Sequence, residues 1–108
     1  MIDGYAILVG SGFDEFAASG DPHLLSTRFG DPSAPIRPVD FGNSTVLVLP
    51  RHGDAHDLPP HLVNDRANLV ALKELGVRAV IALNTVGVIS DVREPGQVAV
   101  PDQVIDYT

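Results

Sequence analysis

Three short segments combine glycines with side chains that bind anions, and each directly follows an apolar run. They are Gly10-Ser11-Gly12, Arg51-His52-Gly53 and Asn84-Thr85-Val86-Gly87. Arginine donates two parallel hydrogen bonds to an oxyanion, hydroxyl groups donate single bonds, and glycine lets backbone N–H groups approach closely. Open α/β sheets bind ligands beyond the carboxyl ends of their strands. The three segments together therefore predict one site for a small anion such as phosphate.

Each segment also has a purely structural explanation when it is taken alone. Arg51 is explained equally well by a surface ion pair with Asp54 or Asp57. The hydroxyl groups of Ser11 and Thr85 are explained by hydrogen bonds to loop backbone. The convergence of three strand ends favours the anion site over these separate explanations.

Dinucleotide and metal sites are disfavoured. A Gly-x-Gly sequence after a strand fits any tight turn, whose dihedral angles call for glycine, and Glu15 stands where a dinucleotide fingerprint has its third glycine. One loop is rich in potential metal ligands, but their spacing matches no helical ligand pair. These residues are His52, Asp54, His56, Asp57 and His61. We therefore expect neither a nicotinamide cofactor nor a metal ion.

Apolar runs alternate with loops and predict the elements that position these segments. Continuous apolar or β-branched runs predict buried strands at residues 5–9, 45–49 and 77–83. Apolar residues at helical spacing after two prolines predict a helix at roughly 61–75, with Gly76 at its end. The polar residues of this helix are expected on its surface: Asn64, Asp65 and Glu74. The order strand, helix, strand predicts a right-handed parallel βαβ unit.

The remaining stretches predict less regular structure. Residues 19–38 are rich in Gly, Pro, Ser and Asp, which predicts a loop with at most short extended pieces. Residues 97–101 and 103–107 are predicted to be extended. The fold class is therefore α/β, with a mixed, partly parallel sheet and a βαβ unit. Because parallel sheets normally carry helices on both faces and only one helix is predicted, the chain looks like half of a larger domain.

Composition excludes several classes of protein. The 108 residues contain no cysteine, so neither disulfides nor Cys-ligated zinc stabilise the fold. Fourteen acidic and seven basic side chains give a net charge of −7, which disfavours nucleic acids and anionic membranes as partners. No apolar run approaches the roughly 20 residues of a membrane span, and the amino terminus lacks a basic signal-peptide region. We expect a soluble, cytoplasmic single domain.

Several motifs occur in an order that is typical of a known family. They are Arg51-His52-Gly53 with His56, Pro60-His61, Arg66-Ala67-Asn68, Asn84-Thr85-Val86-Gly87 and Pro101-Asp102-Gln103-Val104-Ile105-Asp106. With them the chain resembles the 5′-methylthioadenosine phosphorylase family of the purine nucleoside phosphorylase superfamily, and its methylthioinosine branch is also close. The resemblance runs from Val9 to the last residue. It implies that residues 1–108 are the amino-terminal part of a single nucleoside phosphorylase domain.

The resemblance also implies roles for individual residues. Phosphate binding is implied for Ser11, Arg51, His52, Asn84 and Thr85, and nucleoside binding for Asn84 and Thr85. No catalytic residue is assigned within the chain. Three positions depart from the family pattern: Thr85 and Asp65 stand where alanine and tyrosine are usual, and Val88 replaces a small residue.

The implied reaction is phosphorolysis of the N-glycosidic bond of a 5′-methylthio-purine nucleoside, which yields the free purine and 5-methylthioribose 1-phosphate. The resemblance further implies a homo-oligomer, either trimer or hexamer, with phosphate as co-substrate and no cofactor. Two alternatives remain. One is a nucleosidase of the same superfamily, which uses water and has no need of Arg51. The other is a non-catalytic phosphate- or nucleoside-binding module, or a truncated subunit that needs a partner.

Overall fold

In the part of the chain that the structure describes, four strands form one sheet beside a single α-helix. The structure, a computed structural model, describes residues 4–10 and 19–107. The elements are β1 (Tyr5–Val9), β2 (Arg37–Phe41), β3 (Ser44–Pro50), a 3-10 helix (Pro60–Leu62), α1 (Asp65–Glu74) and β4 (Ala79–Leu83). The strand order is β2-β3-β1-β4, with β1 parallel to both β3 and β4, and β2 antiparallel to β3. The predicted α/β class with a mixed, partly parallel sheet is confirmed.

The chain passes from β3 through α1 to β4 and crosses β1, which lies between these strands. The predicted parallel βαβ unit is therefore confirmed, and its right-handed crossover stays a prediction. The helix begins later than the predicted boundary, because the residues after Pro59 form the 3-10 turn and Asn64 takes the N-cap position. Its side-chain oxygen accepts a hydrogen bond from the Ala67 amide at 3.0 Å. Gly76, with φ +90°, ends the helix as predicted.

Strand β2 lies partly within the stretch that was predicted to be a loop. It forms a hairpin with β3 through the two-residue turn Gly42-Asn43, and Phe41 pairs with Ser44. Gly42 has φ +61°, a conformation that favours glycine in such turns. Pro38 is accommodated because β2 is an edge strand, where a missing backbone donor costs no pairing.

The core has two clusters on opposite faces of the sheet. Helix α1 contributes Ala71 and Leu72 to the larger cluster. Its other buried members come from the strands and from the segment before β2: Ala6, Ala34, Ile36, Leu47 and Leu49. The smaller cluster contains Val9, Val39 and Val48 on the other face. The two faces follow from the strand alternation, since neighbouring residues point to opposite sides.

Strand β4 has the predicted position but not the predicted burial. Val80 is 39% exposed and Ile81 is 57% exposed, although the apolar run predicted a buried strand. Burial depends on what packs against a strand, and of the described residues of β4, Leu83 at its end is the one that packs against a core cluster. Every residue from 84 to 107 is exposed, and the predicted extended segments there pair with no strand in the described chain.

None of the helices in the described ranges has the length and apolar character needed to cross a bilayer.

Candidate anion-binding site

The carboxyl ends of β1, β3 and β4 lie side by side at one edge of the sheet. Val9 is aligned with Pro50 on one side and with Leu83 on the other. The Arg51 amide continues this alignment by donating to the Val9 carbonyl at 3.0 Å. The residues that directly follow the three strand ends are Gly10, Arg51 and Asn84. The predicted convergence of the three segments is confirmed for these residues.

The guanidinium of Arg51 lies between the ends of β1 and β4. Its Nη1 donates to the Leu83 carbonyl at 3.2 Å. On its other side it packs against Gly10, where an added Cβ would lie 2.5 Å from Nη2 and 2.7 Å from Cζ. The φ of Gly10 is not in the left-handed region, so glycine is required here for space rather than for its dihedral angles. The arginine side chain is half-buried and held in place.

Asp54 does not pair with Arg51, so this ion pair is not the structural explanation for Arg51. Asp54 accepts instead from Arg37, with Nη1–Oδ1 and Nη2–Oδ2 distances of 2.5 and 3.0 Å. The hydrogen bond to Asp54 raises the pKa of Arg37 above its ordinary value. The Asp57 carboxylate lies over Gly53, where an added Cβ would meet its Oδ1 at 2.6 Å. The positive charge of Arg51 is thus not neutralised by Asp54.

His52 is oriented by the turn that follows β3. Its Nδ1 donates to the Leu58 carbonyl at 2.8 Å, because a carbonyl oxygen can only accept. A ring that donates from Nδ1 leaves Nε2 for a second hydrogen-bond partner. The His56 ring lies 5.3 Å from the His52 ring, and His56 has φ 55°. The Leu58 amide closes the turn by donating to the His52 carbonyl at 2.9 Å.

Two further predicted site residues belong to the loop after β4. Asn84 and Thr85 follow β4 directly, and both are exposed. Their position after Leu83 brings them to the same sheet edge as Arg51. Ser11 and Gly12 of the first segment lie outside the described residues, so the predicted hydroxyl contact of Ser11 stays a prediction.

The histidine- and aspartate-rich loop does not gather into a metal site in the described part of the chain. Within residues 4–10 and 19–107, no group of three or more His, Cys, Asp or Glu side chains is arranged to hold an ion. Two of the potential ligands have other partners, since Asp54 bonds Arg37 and His52 bonds the Leu58 carbonyl.

Sequence reasoning missed two asparagines that attach the segment before β2 to helix α1. Asn68 is fully buried, accepts from the Ser33 amide at 2.8 Å and donates to the Ser33 hydroxyl at 3.1 Å. Asn64 was expected on the helix surface, but it caps the helix and donates to the Phe29 carbonyl at 2.7 Å. The signal was available, because asparagine at a helix start is a preferred cap. The other expected surface groups are exposed as predicted: Asp65 and Glu74.

Comparison with known proteins gives consistent matches to one family. The model of the phosphorylase superfamily matches residues 4–108. A probable S-methyl-5′-thioinosine phosphorylase of Xanthomonas campestris is 51% identical over 86 residues, which cover 80% of this chain and 34% of the relative. One of Xylella fastidiosa is 43% identical over 108 residues, which cover 100% of this chain and 42% of the relative. The S-methyl-5′-thioadenosine phosphorylase of Hyperthermus butylicus is 43% identical over 105 residues, covering 95% and 38%.

Solved structures agree with the sequence matches. The methylthioadenosine phosphorylase of Schistosoma mansoni in complex with adenine superposes with a TM-score of 0.66 at 40% identity. The superposition covers 76% of this chain and 29% of that one. The chain thus spans well under half of the length of the curated relatives it matches.

Proposed function

The chain belongs to the phosphorylase superfamily, and on that premise we propose that its anion site binds inorganic phosphate for the phosphorolysis of purine nucleosides. The proposed substrates are 5′-methylthioadenosine or 5′-methylthioinosine, and the products are the free purine and 5-methylthioribose 1-phosphate. The names of the relatives support this substrate class. Residues 1–108 are proposed to supply the amino-terminal, phosphate-binding part of the domain.

One observation carries the proposal: the Arg51 guanidinium is fixed where three strand ends meet. The Leu83 carbonyl and the Gly10 backbone hold it, and Asp54 does not compete for it. A hydrolase that uses water has no need of a positioned guanidinium, whereas a phosphorylase must hold an anionic nucleophile. This favours the phosphorylase over the nucleosidase.

The proposed chemistry is the attack of a phosphate oxygen on the anomeric carbon while the purine leaves. The bond from phosphorus-bound oxygen to carbon forms as the glycosidic bond breaks, and the ribosyl group carries positive charge in the transition state. Arg51 and His52 hold the phosphate, and Ser11 contributes a hydroxyl donor. Asn84 and Thr85 lie where phosphate and ribose meet. Positioning an anion against a cationic carbon supplies most of the rate enhancement.

The proposed enzyme needs phosphate as co-substrate and no cofactor or metal. It is proposed to act in the cytoplasm, in methionine and purine salvage, as a homo-oligomer with three or six subunits. The net charge of −7 supports a protein without nucleic-acid or membrane partners.

The direct test is the titration of the 108-residue chain with inorganic phosphate by calorimetry. Arg51→Ala should weaken phosphate binding by about 2 to 4 kcal/mol, which is roughly 30- to 900-fold in Kd. Arg37→Ala is the matched control, because this arginine is held by Asp54 and should leave phosphate binding unchanged. Equal phosphate affinity in Arg51→Ala and the unmodified chain refutes the assignment.

A second measurement separates the candidate activities. Release of purine from methylthio-nucleosides is followed with and without phosphate. Release that requires phosphate supports the phosphorylase, and release in water alone supports the nucleosidase. Phosphate binding without purine release supports the non-catalytic module or a subunit that needs a partner.

A further inference from the structure

The loop between β3 and the 3-10 helix is closed by three backbone hydrogen bonds of its own. The Gly53 amide donates to the Pro50 carbonyl at 3.2 Å, and the His56 amide donates to the Gly53 carbonyl at 3.1 Å. The Leu58 amide donates to the His52 carbonyl at 2.9 Å. Since these bonds follow one another along the loop, they fix the path of its backbone.

His56 has a backbone conformation that residues other than glycine rarely adopt. Its φ is 55°, and every other described residue with positive φ is a glycine. This conformation costs free energy in a residue with a side chain, so it persists only where the surrounding structure determines it. Glycine would avoid the cost, as Gly53 with φ 87° does in the same loop. The histidine is therefore explained by its side chain and not by the turn.

The His56 side chain packs against the imidazole of His52. The ring centroids lie 5.3 Å apart, and the ring planes are inclined by 53°. This separation lies in the range in which aromatic rings attract one another. The hydrogen bond from Nδ1 of His52 to the Leu58 carbonyl fixes one atom of the ring, but the ring can still pivot about that atom. The contact with His56 restrains this rotation, so the two contacts together determine where Nε2 of His52 lies.

We propose that His56 is a positioning residue of the anion site, whose ring sets the plane of the His52 imidazole so that Nε2 faces the phosphate. The inference rests on the proposed function for the identity of the anion, and on the loop geometry for the role of His56. A ring that is already oriented binds an anion more tightly than a mobile one, because it does not have to be ordered when the ligand arrives. The left-handed backbone at His56 is thus part of the preparation of the site for its ligand.

Substitutions at His56 separate the effect of the ring from that of the backbone. His56→Asn removes the ring and introduces a residue that tolerates the left-handed conformation. His56→Phe keeps an aromatic ring but lacks the ring nitrogens, so rescue by phenylalanine identifies ring packing as the cause. His61→Asn is the matched control, because His61 is exposed and lies in the 3-10 helix that follows the loop. Urea denaturation of each variant shows whether the fold is retained.

Two measurements on the 108-residue chain read the ring and the anion separately. Heteronuclear NMR of the nitrogen-labelled chain follows the Nδ1 proton of His52, which the Leu58 carbonyl should protect from exchange with water. This proton should exchange faster in His56→Asn and return to its original rate in His56→Phe. By calorimetry, the Kd for inorganic phosphate should rise roughly 3- to 10-fold in His56→Asn and return to within about twofold in His56→Phe. His61→Asn should change neither reading.

The outcomes distinguish a failure of this inference from a failure of the proposed function. If the unmodified chain does not bind phosphate, the proposed function fails, and the His52 proton in His56→Asn alone decides whether His56 positions the imidazole. Unchanged exchange of that proton in His56→Asn overturns the inference, and so does an unchanged Kd where the unmodified chain binds phosphate. A loss of affinity that His56→Phe does not restore also overturns it, because a nitrogen of His56 and not its ring would then act on the anion.

Discussion

Replacing Gly10 with alanine should weaken phosphate binding without destabilising the fold. The new Cβ would lie 2.5 to 2.7 Å from the guanidinium of Arg51, well inside ordinary contact distance, so the guanidinium must move. The displaced atoms are the far end of a flexible side chain, and the φ of Gly10 is not one that only glycine favours. We therefore expect the free energy of unfolding to change by less than about 1 kcal/mol.

The expected loss in phosphate affinity follows from the hydrogen bonds that the displaced guanidinium no longer makes. Moving it away from Gly10 breaks its alignment with the Leu83 carbonyl and misdirects one charge-assisted hydrogen bond to phosphate. Such a bond contributes about 1.5 to 3 kcal/mol, so the Kd for phosphate should rise roughly 10- to 150-fold. Calorimetric titration gives the Kd, and urea denaturation of the same samples gives the stability.

A double-mutant cycle with Arg51→Ala tests whether the effect operates through the arginine. In the Arg51→Ala background, Gly10→Ala should cause no further loss, because no guanidinium is left to displace. An equal loss in both backgrounds would show that the alanine acts on the backbone of the loop. An unchanged Kd in the single variant would show that the packing of Arg51 on Gly10 has no part in anion binding.

Three further predictions concern stability. Asn68→Ala should lower the free energy of unfolding in urea by about 1 to 3 kcal/mol, because the Ser33 amide loses its buried acceptor. Unchanged stability of this variant would show that Asn68 does not stabilise the segment before β2. Asp54→Asn should cost at most about 1 kcal/mol, since its partner Arg37 is only partly buried. Because the pKa of Arg37 is raised in the folded state, the charge of Arg37 stabilises the fold at every pH below its unfolded-state pKa. This stabilisation is lost only as the pH rises through the folded-state pKa, so urea unfolding at about pH 6 and at about pH 9 should show the same contribution.

Much of the sheet could be predicted from local sequence. Continuous apolar runs identified β1, β3 and β4, and the helical pattern between the last two predicted the βαβ unit that the structure contains. Strand β2 was missed because Arg-Pro-Val-Asp-Phe has no continuous apolar run, and its signal lies in the Gly42-Asn43 turn. The exposure of β4 could not be predicted, because burial is a property of the elements that pack on a strand.

In the candidate site too, the residues could be found from the sequence, whereas one of their tertiary contacts could not. Arg51 and Asn84 were found by their positions after apolar runs, and the parallel register of the strands brings them together. The role of Gly10 was misjudged, because a glycine after a strand is equally explained by a turn. Its actual neighbour is a guanidinium that lies far along the chain, and spacing alone contains no signal for that contact.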